Sequence, residues 1–156
     1  MLIGGALEPV YQPATCEKAV NQVHFKLDYF ASALHEIAHW CIAGVGRRQL
    51  QDYGYWYQPE TRDISAQSAF IQVEAKPQAL EWIFHKATGH DFIVSLDNPD
   101  LLNTNHDDFK LAIVDAANTY QQQGLPKRAE QFHQALVQFY QRQSDISRYA
   151  FSMRDI

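Results

Sequence analysis

His35-Glu36-Ile37-Ala38-His39 lies at the centre of a run from Phe25 to Ala43 that reads as one helix, and this stretch decides the fold. On an α-helix, residues four apart lie one above the other on the same face. The two imidazoles can therefore converge on one metal ion. Glu36 points to an adjoining strip of surface, within reach of a metal-bound water or a substrate group. Ala31, Ala33, Leu34, Ile37, Ala38, Trp40, Cys41 and Ile42 make the segment apolar almost all round, which predicts a buried helix. Polar groups inside such a helix need partners or a ligand, because an interior penalises unpaired ones. A hydrogen-bonded histidine pair is the plain alternative to a metal.

Two imidazoles need a third protein ligand in zinc and non-haem iron sites of this type. A second helix is predicted from Ala66 to Thr88, and it offers Glu74 and Glu81. Glu74 sits in the largely apolar run Phe70-Ile71-Gln72-Val73-Glu74-Ala75, so ligation explains it better than solvation does. Glu81 lies seven positions on and could face the same way. Glu74 is preferred, with an ion pair to Lys76 or an arginine as its alternative explanation. His85, His90 and His106 are further conceivable ligands. Two imidazoles with one carboxylate are chemically ambiguous. With Zn²⁺ they make a hydrolase in which Glu36 deprotonates metal-bound water. With Fe²⁺ they make a facial triad with positions open for dioxygen and substrate. A third reading is a helical binding module around a structural metal.

The remaining chain predicts an α+β protein, mainly α, with a small β element. Glu8 to Pro13 is bracketed by prolines and reads as extended or turn-like. Val20 to Phe25 fits a short strand. Gly44 and Gly46 supply the stop for the first helix. Asp52-Tyr53-Gly54-Tyr55-Trp56-Tyr57 reads as an extended, aromatic edge, and Asp97 to Asp100 as a turn. Pro77 predicts a kink or a split in the second helix. Helices follow from Asp107 to Gln123, closed by Gly124, and from Pro126 to Arg142. In the last, Ala129, Phe132, Leu136, Phe139 and Tyr140 lie at helical spacing. Ser144 to Met153 can add a short final helix. With 156 residues and no repeat or linker, one domain over 1–156 is expected.

Composition narrows the partners. Hydrophobic residues make up 46% and charged residues 20%, ordinary for a globular protein. No apolar run reaches membrane-spanning length, and Met1 to Gly5 has no basic region of the kind that opens a signal peptide. Cys16 and Cys41 are isolated, which fits a reducing cytoplasm better than a disulfide framework. A net charge of −5 argues against nucleic acid. Tyr53, Tyr55, Trp56 and Tyr57 are candidates for holding ammonium groups on ring faces, or for simple packing. Arg47, Arg48 and Arg62 are candidates for docking an acidic partner. For Arg47 and Arg48 a role at the helix C-terminus is the alternative.

The chain resembles the elongation factor P hydroxylase family. The likeness runs through Phe30 to Gly44, Arg47-Arg48, Asp52 to Tyr57 and Val73 to Trp82, with Glu8 to Pro13 ahead of them. It implies oxygenation of a lysine of elongation factor P that already bears a β-lysyl group. It also implies a zinc-peptidase-like helix pair carrying HExxH and a later Glu, with His35, His39 and Glu74 as ligands. The implied cofactors are Fe²⁺ and dioxygen, with the electron donor unidentified. A zinc metallopeptidase or amidase is the competing enzyme reading. In a hydroxylase no hydrolytic water is activated, so Glu36 needs another role: orienting a water, holding a ligand histidine, or, the role expected here, pairing with a substrate ammonium. Other family members carry a segment ahead of the position where this chain starts.

Overall fold

The computed structural model describes residues 1–16, 19–52, 64–95, 106–142 and 145–156, with the backbone alone at 64–70, 72 and 106. Its contacts divide the chain into two units, Met1–Tyr57 and Gln58–Ile156.

The first unit is a three-stranded sheet carrying one helix. Strands β1 (Leu2–Ala6), β2 (Val10–Gln12) and β3 (Gln22–Lys26) are ordered β1-β3-β2. β1 runs parallel to β3, pairing Leu2 with Val23 and Ile3 with His24. β2 runs antiparallel to it, pairing Tyr11 with Val23. The register of β1 shifts between Ile3 and Ala6. Gly4 and Gly5 make that shift possible. A Cβ on Gly4 would stand 2.9 Å from the Leu27 carbonyl oxygen, and Gly5 has φ +92°.

Helix α1 (Phe30–Ile42) lies against β3. It begins five residues later than the sequence predicts, because Gln22, His24 and Lys26 alternate with Val23 and Phe25 at the two-residue period of a strand. α1 is also less enclosed than its apolar composition suggests. Ala33, Leu34, Ile37, Ala38 and Cys41 are buried, whereas His35, Glu36, His39 and Trp40 are half-buried. The helix stops as Ala43 turns extended, its N–H bonded to the His39 carbonyl at 3.0 Å. Neither Gly44 nor Gly46 adopts a left-handed conformation there.

The second unit is helical. α2 (Ile64–Thr88) runs as a single element through Pro77 and is not split there. α3 (His106–Gln123) and α4 (Lys127–Tyr140) both pack on α2. Its core joins Ala75, Ala79, Trp82 and Ile83 of α2 to Phe109, Ile113, Val114 and Ala117 of α3, with Phe92 and Phe151 closing it. Trp82 stacks on Phe92 at 5.6 Å and meets Phe151 edge-on at 4.7 Å. Gly124 ends α3 with φ +85°, its N–H on the Tyr120 carbonyl.

In α4 the buried stripe is Ala129, His133 and Val137, and the expected core residue Phe139 is exposed. Positions 129, 133 and 137 recur every four residues, and residue 139 lies about 200° round the helix from 137. The final segment has one short 3-10 turn at Ile146–Arg148 in place of the helix expected from Ser144 to Met153. It is fastened by Gln121, whose amide donates to the carbonyls of Ile146 and Tyr149 at 2.9 and 2.8 Å. The expected turn at Asp97–Asp100 lies outside the described residues. No described helix is long and apolar enough to cross a membrane.

Candidate metal centre

The four-residue spacing on α1 has the consequence its geometry requires. The Nε2 atoms of His35 and His39 lie 2.9 Å apart, with the rings edge-on at 67°. At that separation either one ring donates to the other or both lone pairs share a cation. Two metal–nitrogen bonds of about 2.1 Å set at a right angle put their nitrogens about 3.0 Å apart, and at a tetrahedral angle about 3.4 Å. The separation is compatible with a chelated ion as well as with a hydrogen-bonded pair. Both rings are half-buried, so the pair is reachable from outside while its helix is anchored by Leu34 and Ala38 beneath.

Glu36 is half-buried beside this pair, one helical step round from His35. The chain leaving α1 is clasped to the sheet edge. Tyr11 and Asp52 exchange backbone hydrogen bonds at 2.6 and 3.0 Å. Arg47 Nε donates to Asp52 Oδ2 at 2.6 Å, and the Tyr11 hydroxyl donates to the Arg48 carbonyl at 2.8 Å. Arg48 Nη1 donates to the Ala43 carbonyl at 2.5 Å, satisfying a terminal acceptor of the helix. Both arginines thus have a place in the architecture of the loop. Sequence reasoning misses Tyr11 and Asp52. Their only signal is an aromatic in a proline-bordered strand and an acid five residues after an arginine. Tyr53, Tyr55, Trp56, Tyr57 and Arg62 lie outside the described residues.

In the second unit, Glu74, Gln78, Glu81 and His85 form a polar stripe on α2, all four buried. Their spacing of four, three and four residues keeps them on one face. Lys76 is exposed and sits two residues from Glu74, a spacing at which helical side chains do not face each other. Glu81 faces His85 Nε2 at 3.6 Å. Gln78 holds Ser95 by both backbone groups, donating to its carbonyl at 2.8 Å and accepting from its N–H at 3.1 Å. Sequence alone marks Glu74 and Glu81 but not Gln78, whose partner is seventeen residues away. His90 is exposed, with Nδ1 3.1 Å from the Thr88 hydroxyl. The side chain of His106 lies outside the described part of the chain.

Residues 1–151 match the family described as elongation factor P hydroxylase. The elongation factor P lysine hydroxylase of Haemophilus influenzae is 47% identical over 149 residues, covering 94% of this chain and 82% of that protein.

Proposed function

This chain belongs to the elongation factor P hydroxylase family, and from that premise we propose that it hydroxylates a lysine of elongation factor P. The match over nearly the whole chain carries this reading and favours it over peptide hydrolysis. The substrate form is the β-lysylated one, and the compartment is the cytoplasm. The whole chain acts as one catalytic domain of zinc-peptidase-like helix arrangement.

His35, His39 and Glu74 are the metal ligands in this reading, as the family resemblance and the residue chemistry suggest. Glu81 is the weaker choice because His85 engages it one turn away. Hydroxylating an aliphatic carbon takes a redox-active metal and dioxygen, chemistry that Fe²⁺ on two imidazoles and a carboxylate supplies and Zn²⁺ does not.

The chain's own residues do the positioning. Glu36, beside the ligand pair, holds an ammonium of the lysine arm and so fixes which carbon is presented. Tyr53, Tyr55 and Tyr57 supply ring faces for the same cationic arm, each worth about 0.5–2 kcal/mol according to desolvation. Arg47 and Arg48 meet acidic groups of the partner.

The test uses iron-loaded protein in air with β-lysylated elongation factor P, with and without an added reductant. Mass spectrometry should show the gain of one oxygen atom. His39→Ala and zinc-loaded protein should show none. No gain with the iron-loaded wild type, under either condition, removes the reading.

A further inference from the structure

α2 holds a proline in its interior, and the residue after that proline is tied to a segment outside the helix. Pro77 has no N–H to give the Val73 carbonyl. The turn that bears Glu74 therefore lacks one bond of its helical ladder. Even so, α2 runs through it as one element, with Pro77 fully buried. A proline at such a place bends or breaks a helix unless its surroundings hold the two sides together. Gln78 supplies a hold. It is only 1% exposed, and both halves of its amide bond the backbone of Ser95. The amide thus acts as a neighbouring strand residue would, donating to the carbonyl and accepting from the N–H of one partner.

A fold-back of the chain brings Ser95 there. α2 ends at Gly89, whose φ is +76°, and the N–H groups of Gly89 and His90 both reach the His85 carbonyl, at 2.9 and 3.3 Å. Phe92 then stacks on Trp82 at 5.6 Å and meets His85 edge-on at 5.8 Å. From His85 back to Gln78 the helix spans about 10 Å. Extended chain from Phe92 to Ser95 spans about 10 Å as well. The segment therefore retraces α2, seated in the core by Phe92 and fastened by Gln78 at Ser95. Gln78 is four residues from Glu74, on the same face, and helical side chains lean toward the N-terminus. The fastening thus falls beside the turn that the proline weakens.

On the reading of Glu74 as a metal ligand, we propose that Gln78 is a positioning residue for the metal centre. By tying α2 to Ser95 directly after Pro77, it sets the direction in which the weakened turn presents the Glu74 carboxylate. Gln78 acts through Glu74 and needs no contact with the ion. Residues that only orient a ligand commonly contribute about ten- to a hundredfold in metal affinity.

Zinc binding to the stripped full chain, read by competition with a chromogenic chelator, tests this beside thermal melts of the same protein. Gln78→Met keeps the bulk of the side chain and loses both bonds, and should weaken zinc about tenfold. Ser95→Pro removes the N–H at an exposed position and leaves the core untouched, so it should weaken zinc in the same direction. It decides the matter if Gln78→Met does not fold. Gln121→Met is the matched control, because Gln121 also holds a later segment by two amide bonds. It should lower the melting temperature yet leave zinc affinity within about twofold. In a Glu74→Ala background, Gln78→Met should weaken zinc no further, since no carboxylate is left to position. Wild-type zinc affinity in Gln78→Met overturns the proposal. So does an equal loss in Gln121→Met, or a full additional loss in the Glu74→Ala background. The two readings fail separately. Glu74→Ala that binds zinc like the wild type removes the ligand itself, whereas a loss in Glu74→Ala alone keeps the ligand and removes only the role of Gln78.

Discussion

Glu36 is the residue at which the two enzyme readings part. In a hydrolase its carboxylate takes a proton from metal-bound water, and removing the charge abolishes turnover while leaving substrate affinity largely alone. In the proposed hydroxylase it grips an ammonium, and loss of the charge removes a charge-assisted bond to substrate. Glu36→Gln is isosteric and does not remove a metal ligand. The expected outcome is unchanged iron content with a KM raised about tenfold or more, read from initial rates of oxygen incorporation. Full activity with full iron content would exclude contact between Glu36 and the substrate arm. At this scale the pentad is legible in the amino-acid sequence, since helical spacing alone places His35 and His39 together. The engagement of Arg47 by Asp52 and of Arg48 by Ala43 is not, because each depends on how the chain turns after Ile42.

At the scale of elements, α4 and the C-terminal segment carry a pH dependence away from the metal centre. His133 is fully buried on α4, with Nε2 3.0 Å from the Tyr149 hydroxyl. Burial lowers its pKa below the usual 6.5, against an opposing pull from Glu130. Burial also pushes the Tyr149 hydroxyl up to about 12. Both groups are therefore held neutral in the fold. A histidine with a depressed folded pKa contributes its stability above 6.5, and that contribution is lost as pH falls from there through the folded value. For Tyr149 the unfolded chain ionises first, so its contribution is lost as pH rises from 10 toward 12. Thermal melts should thus show a plateau with shoulders on both sides. His133→Leu should flatten the acidic shoulder. An acidic limb identical in wild type and variant would place the titrating group elsewhere. Sequence periodicity finds α4 but draws its stripe through Phe139. It could not admit a histidine to the core, because the histidine's licence to be there is Tyr149, sixteen residues on.

For the whole molecule, the division at Tyr57 sets a question that metal binding answers. The proposed ligands come from both units, two imidazoles from the first and Glu74 from the second. An ion held by all three binds only when both units are folded, so it stabilises the chain by linkage. At a hundredfold excess over Kd this amounts to about 2.7 kcal/mol. For a chain of this length that corresponds to a rise in melting temperature of about 5–10 °C. Calorimetry of stripped and reloaded protein measures it, and zinc serves as well as iron because turnover is not needed. Glu74→Ala and His39→Ala should each abolish most of the shift. A shift that survives Glu74→Ala would move the third ligand elsewhere.

What the amino-acid order determined by itself was local. The i, i+4 histidines, the strand alternation at Val23 and Phe25, the Gly124 terminator and the helical periods of α3 and α4 follow from interactions between residues a few positions apart. Such spacings are fixed by backbone geometry, whatever surrounds them. Only the tertiary structure decided which of two compatible local states won. It gave Phe25 and Lys26 to the sheet when the helix could have claimed them, carried α2 unbroken through Pro77, and turned Phe139 outward and His133 in. Each of those outcomes turns on partners distant in sequence, whose packing and hydrogen bonds outweigh propensities of a few tenths of a kcal/mol per residue.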